Sequence, residues 1–85
     1  MWYILVRALV LLNVNSGNEV TIVEKLKELP EVVDTFITFG DHDIACIIHA
    51  NSPKELGQIV TQRIRRVDGV QKTITLIEAV DKNNS

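Results

Sequence analysis

Residues Tyr3 to Val14 form an apolar run that alternates two ways at once. One alternating set is Ile4, Val6, Ala8, Val10, Leu12 and Val14; the other is Tyr3, Leu5, Arg7, Leu9, Leu11 and Asn13. Successive side chains of a strand point to opposite faces. Both faces of this strand are therefore apolar, and both must be covered. A surface strand of a single-layer protein does not satisfy that condition. The run is shorter than the roughly 20 residues of a membrane span. It lacks the basic n-region and small-residue cleavage site of a signal peptide, and Arg7 interrupts it. It reads as a buried strand, with no membrane segment.

The cover has to come from 85 residues, enough for one domain over residues 1–80 with a flexible tail at 81–85. A chain this short buries only about 60–65% of its unfolded surface. Yet 46% of its residues are apolar and 24% charged, a composition that points to further burial between subunits.

Asn15-Ser16-Gly17-Asn18 is a turn and helix-start cluster. Val20, Val23, Leu26 and Leu29 then recur at helical spacing, supported by Ile22, until Pro30 ends the helix. Val32 to Phe39 is a second strand and Ile44 to Ala50 a third, joined by the short Gly40–Asp43 turn into an antiparallel hairpin. Ser52-Pro53-Lys54-Glu55 combines a serine cap, a first-turn proline and a glutamate three residues on. Leu56, Ile59, Val60, Ile64 and Val67 make the stripe of this second helix, which stops at Asp68-Gly69. Val70 to Ile77 is the fourth strand, with Val70, Ile74 and Leu76 expected on one face and Thr73 and Thr75 on the other. The order βαββαβ with right-handed crossovers is the ferredoxin-like α+β fold, an antiparallel sheet with strands one and three central and two helices on one face. The other face is left bare, with Leu5, Leu9 and Leu11 on it. A face-to-face homodimer, sheet on sheet, follows from this.

The sequence pI of about 5.6 and net charge of -2 argue against direct nucleic-acid binding. Arg63, Arg65 and Arg66 form the one basic cluster, at a helix end where cations complement the dipole. The lone Cys46 sits in an apolar run and reads as a buried structural thiol, consistent with a reducing, cytoplasmic setting.

Chemistry concentrates at Thr38-Phe39-Gly40-Asp41-His42-Asp43-Ile44. Gly40 permits a positive φ, and short acidic side chains tighten turns through the backbone. Hairpin tips ordinarily carry such residues as solvated turns; the same carboxylates and imidazole also suit a polar ligand with an amino group. An extended Asp-His-Asp alternates in direction and no second ligand cluster accompanies it, so no metal site or cofactor is expected. Thr73 and Thr75 put two hydroxyls on one face, either as ordinary β-formers or as a pair lining a pocket. His49 reads as a packed strand histidine. Arg7, on an apolar set, either pairs with a carboxylate across a dimer or snorkels to the sheet edge. No nucleophile or phosphate-loop context is visible.

Leu29-Pro30-Glu31-Val32, the Thr38–Ile44 stretch, and Gly69-Val70 followed by Thr73-Ile74-Thr75 together resemble the effector-binding domain of the Lrp/AsnC transcription regulators, also called the regulation-of-amino-acid-metabolism domain. The resemblance runs from about Tyr3 to about Ala79. It implies a dimeric α+β barrel, assembly into a tetramer of dimers, and a small effector, typically an amino acid, bound near the hairpin turn between dimers. Carried onto this sequence, it implies ligand-binding roles for Gly40, Asp41, His42, Asp43, Thr73 and Thr75. Gly40 shapes the loop, Asp43 holds the motif's acidic position, and Thr73 and Thr75 form the hydroxyl pair. His42 stands where the family commonly has an aromatic residue, and Asp41 is an additional acid. Family members carry an N-terminal helix-turn-helix that has no counterpart in these residues. A stand-alone amino-acid sensor, non-enzymatic and able to pair with a DNA-binding relative, is the function implied. The alternative is a cofactor-free oxygenase or isomerase of the same architecture, with His42 or His49 as base and Asp41 or Asp43 orienting it.

Overall fold

The computed structural model describes residues 5–78. The expected tail at 81–85 lies outside them. Six elements follow in the order β1 (Val6–Val14), α1 (Glu19–Lys27), β2 (Val32–Ile37), β3 (Ile44–Ala50), α2 (Pro53–Ile59) and β4 (Val70–Ile77). The strands form one antiparallel sheet in the order β2-β3-β1-β4, so β1 and β3 are central as their two-sided apolar sequences require. The architecture is ferredoxin-like α+β, with an open rather than closed sheet.

One face of the sheet carries the core. Val10 and Leu12 of β1 and Ile44, Cys46 and Ile48 of β3 pack with Ile22 and Leu26 of α1 and with Leu56 and Ile64. Val20 is exposed, so the buried side of α1 is centred on Ile22 and Leu26 rather than running evenly through Val20, Val23 and Leu29. The Ser52 hydroxyl accepts the Glu55 N–H at 3.1 Å. The returning Glu55 carboxylate takes the Asn51 N–H at 2.7 Å, closing the second helix start one residue earlier than a standard capping box. Beyond Ile59 the helix widens into a π-helical turn, Val60–Ile64, in which the Arg65 N–H reaches the Val60 carbonyl at 2.8 Å. Arg63 leaves this turn to ion-pair with Glu31 at 2.6 Å. It is thus committed to the fold instead of standing free at a helix end.

Two register shifts correct the simple alternation. Between Asn13 and Val14 the β1–β4 ladder slips, so that Val14 faces Val70 while Leu12 faces Thr73. Val70 therefore joins the core face with Thr73, not the face of Ile74 and Leu76. A second irregularity between Val32 and Asp34 leaves Val33 exposed at the β2 edge. β2 also stops at Ile37, before Thr38 and Phe39.

Among the described residues the opposite face has no helix on it. By register and alternation it presents Leu9 and Leu11 of β1, Ile47 of β3, Phe36 of β2, and Ile74 and Leu76 of β4. Phe36 and Leu76 are among the exposed large apolar residues. At one end of this face the Arg7 guanidinium grips the Glu78 carboxylate with two bonds of 2.8 and 2.6 Å. That bidentate bond holds Glu78 below the ordinary carboxylate range and raises Arg7 further. The partner of Arg7 thus comes from its own chain.

Candidate functional site

The loop from Thr38 to Asp43 is held by the end of β1. Backbone pairing closes its base, with the Thr38 N–H donating to the Asp43 carbonyl at 2.9 Å and the Thr38 hydroxyl to the His42 carbonyl at 2.7 Å. The Asp43 N–H donates to the Leu12 carbonyl at 2.8 Å, and its carboxylate accepts the Val14 N–H at 2.9 Å. Asn13 contacts the loop twice: its Nδ2 donates to the Asp41 carbonyl at 2.8 Å, and its Oδ1 lies 3.2 Å from His42 Nδ1. β1 needs no turn of its own to reach the loop, because the β1–β3 register ends at Leu12 and Ile44, beside it.

Gly40 adopts φ +119°, the positive φ that a glycine there permits, and beyond its chain neighbours no atom lies within 4 Å of where its Cβ would be among the described residues. Phe39 projects fully into solvent. Beside it lies an open groove of about 390 Å³ between the loop and the start of α1, bordered by Glu19, Val20, Ile37, Phe39, Gly40 and Asp43. The wall of Val20 and Ile37 is apolar and the rim at Glu19 and Asp43 is acidic. Such a hollow suits a small molecule carrying an ammonium group and an apolar part.

The Lrp/AsnC ligand binding domain model matches residues 7–79. The chain belongs to that family. The HTH-type transcriptional regulator LrpA of Pyrococcus horikoshii is 36% identical over 56 residues, which are 66% of this chain and 40% of that protein. This chain thus spans about two fifths of the curated relative's length. Among solved structures, the hypothetical protein PHS023 of P. horikoshii superposes with a TM-score of 0.83 at 30% identity, covering 91% of this chain and 93% of the other. AsnC of E. coli superposes with a TM-score of 0.84 at 24% identity, over 91% of this chain and 52% of its own, and shares the fold.

Within this Lrp/AsnC domain the residues expected at the site divide into three places. Gly40 and Asp43 border the groove. His42 turns to Asn13, whose position in β1 is on the bare sheet face, and Asp41 is exposed at the tip. Thr73 and Thr75 share the helix-side face of β4, opposite Leu12 and Val10, and stay half-buried. They lie two strand spacings from β3, about 9–10 Å, and do not border the loop groove. Sequence reasoning gave Asn13 no role, although it is the polar end of an alternating set that is otherwise apolar apart from Arg7. It also passed over Val20 and Ile37, whose helical and strand periodicities mark them as core. Among the described residues no group of three or more metal-ligating side chains converges, and no helix is long and apolar enough to cross a membrane.

Proposed function

We propose that this chain is a non-enzymatic, cytoplasmic sensing and oligomerisation domain that binds an amino acid or similar effector at the Thr38–Asp43 loop. The observation that carries this is the loop itself: four side-chain bonds, the Asp43 carboxylate's among them, pin it to β1 and to itself, while Phe39 and Gly40 stay open beside the apolar wall of Val20 and Ile37. Preorganised polar groups around a small apolar hollow favour ligand binding, since little ordering is left to be done on association. Gly40, Asp41, His42 and Asp43 form the loop side of the site. Thr73 and Thr75, distant within one chain, contribute from another copy.

The bare sheet face supports a homodimer, which closes two open sheets into an α+β barrel. Each fully buried leucine or phenylalanine gained there adds roughly 1.5–3 kcal/mol. Pairs of dimers meeting at the loops would form the tetramer of dimers. The curated relative is an HTH-type regulator, so the signal passes to a DNA-binding relative. An enzymatic base finds less support. His49 borders a hollow with Glu31 and Glu55, whose carboxylates are engaged by Arg63 and the Asn51 N–H.

Light-scattering mass, measured with each of the twenty amino acids in turn and accompanied by calorimetry, tests the proposal. A dimer or larger ring whose mass responds to one amino acid is expected. Calorimetric silence with all twenty overturns amino-acid sensing.

A further inference from the structure

The two edges of the sheet, β2 and β4, are built differently. At the β2 edge the ladder is irregular between Val32 and Asp34, and a carboxylate stands beside the break, two devices that keep further strands away. At the β4 edge the irregularity falls at Gln71, and from Lys72 to Ile77 the register against β1 is unbroken. The run from Thr73 to Ile77 is β-branched but for Leu76 and holds neither proline nor glycine. Among the described residues no strand lies beyond it. The Glu78 N–H donates to the Arg7 carbonyl at 2.8 Å, so by alternation Leu76 and Ile74 also turn their backbone groups to β1. Ile77, Thr75 and Thr73 turn theirs outward, a row of donors and acceptors ready for another strand.

We propose that the β4 edge is an interface between copies of this chain, pairing antiparallel with the β4 edge of a second copy about a two-fold axis at Thr75. That register sets Thr75 against Thr75 of the partner subunit and Thr73 against Ile77 of the partner subunit. Every outward residue of the run then exchanges N–H and C=O bonds with another outward residue. On the bare face the same register sets Ile74 against Leu76 of the partner subunit and Lys72 against Glu78 of the partner subunit. Opposite charges facing each other across a ladder favour the pairing, and the two-fold axis makes this contact twice. Glu78 keeps acceptor capacity although Arg7 grips it, because Arg7 Nε and Nη2 take one site on each carboxylate oxygen. Lys72 is exposed and has no ion pair among the described residues. An axis at Ile74 would keep backbone bonds but set Lys72 against Leu76 of the partner subunit, so charge selects Thr75. Two four-stranded sheets become one continuous sheet with the helices on one side. The contact uses the edge of the sheet rather than its bare face or the Thr38–Asp43 loop, and it does not rest on effector binding.

Amide hydrogen exchange, read by NMR on the unmodified chain, tests the pairing. The inward N–H groups of Ile74 and Leu76 should be protected whether or not the edge is paired. Those of Thr73, Thr75 and Ile77 should be protected too in a concentrated sample, as hydrogen-bonded groups are and those of an open edge are not. A disulfide trap then identifies the occupant. Thr75→Cys in a Cys46→Ala chain should close an intermolecular disulfide under mild oxidation, since directly opposed residues of this type have Cα atoms about 5.5 Å apart, within disulfide range. Thr73→Cys alone should not, whereas Thr73→Cys mixed with Ile77→Cys should. Thr75 points to the helix side, so a face-to-face dimer does not bring two copies of it together. Lys72→Glu should slow the Thr75→Cys trap about fivefold, two like-charge contacts replacing two attractive ones. Circular dichroism reports the fold of each variant, and the mixed pair is the second trap should Thr75→Cys fail to fold. Fast exchange at Thr73, Thr75 and Ile77 in the concentrated sample overturns the proposal. Protection there without either trap overturns self-pairing in favour of a different strand at this edge, and equal trapping of Thr73→Cys alone overturns the register.

Discussion

Asp43 and Val14 are 29 positions apart, and the Asp43 carboxylate takes the Val14 N–H at 2.9 Å where the β1–β3 ladder has run out of backbone partners. An acidic residue of the expected effector motif is thus a structural clasp between the loop and the end of β1. Asp43→Ala should lower stability by about 1–2 kcal/mol, the cost of a part-buried donor left without its partner. Asp43→Asn, which keeps an acceptor, should lose less. Urea unfolding of the two variants checks the order.

Three glycines should respond to alanine in three ways. At Gly69, with φ +97°, an added Cβ meets Ile22 Cδ1 at 2.9 Å and Asn18 Nδ2 at 3.1 Å. Gly69→Ala should cost about 1–3 kcal/mol through backbone strain and crowding together. Gly40→Ala has the strain without the crowding and should cost about 1 kcal/mol. Gly57→Ala, in α2 with nothing near its Cβ, should stabilise by about 0.5–1 kcal/mol. Thermal melts of the three variants suffice.

The Thr35 hydroxyl is buried, with the residue 4% exposed, and among the described residues no hydrogen-bond partner reaches it. Thr35→Val keeps the shape and removes the unpaired group. A gain of about 1 kcal/mol in urea unfolding is expected. A loss would show that the hydroxyl is satisfied by an internal water.

Burial, aided by the nearby Asp34 charge, pushes the Cys46 thiol up to about 12. The native state therefore holds this proton where the unfolded thiol, near 8.5, has released it. Stability is full below the unfolded value and falls as pH rises from about 8.5 towards 12. The melting temperature of Cys46→Ala should decline less over that window than that of the parent. The native thiol should resist alkylation at about pH 8 and react once urea unfolds the chain.

Leu76 is 51% exposed on the bare sheet face, beside Leu9 in the register. Leu76→Asp should leave the far-ultraviolet circular dichroism of the chain unchanged and reduce its light-scattering mass to that of a monomer. A dimer that survives this change would place the interface elsewhere.

The double alternation of the first apolar run determined by itself that β1 is central and presents apolar side chains to both faces, because side-chain direction in a strand depends only on position along the chain. Ser52, Pro53 and Glu55 determined the start of α2 for the same local reason, and the glycine of the hairpin tip permitted the positive φ found there. The register shifts were not legible. Val70 changes face because the β1–β4 ladder slips at Asn13 and Val14, and a slip depends on how two distant segments meet. The π-helical turn that carries Arg63 to Glu31 belongs to the same class. At the site, the sequence placed Gly40 to Asp43 in one turn through adjacency alone. The tertiary structure then decided that Asp43 clasps Val14, that Asn13 meets His42, and that Thr73 and Thr75 lie two strands away on the other face. Those outcomes depend on strand order and on bonds between residues far apart in the chain, which periodicity does not encode.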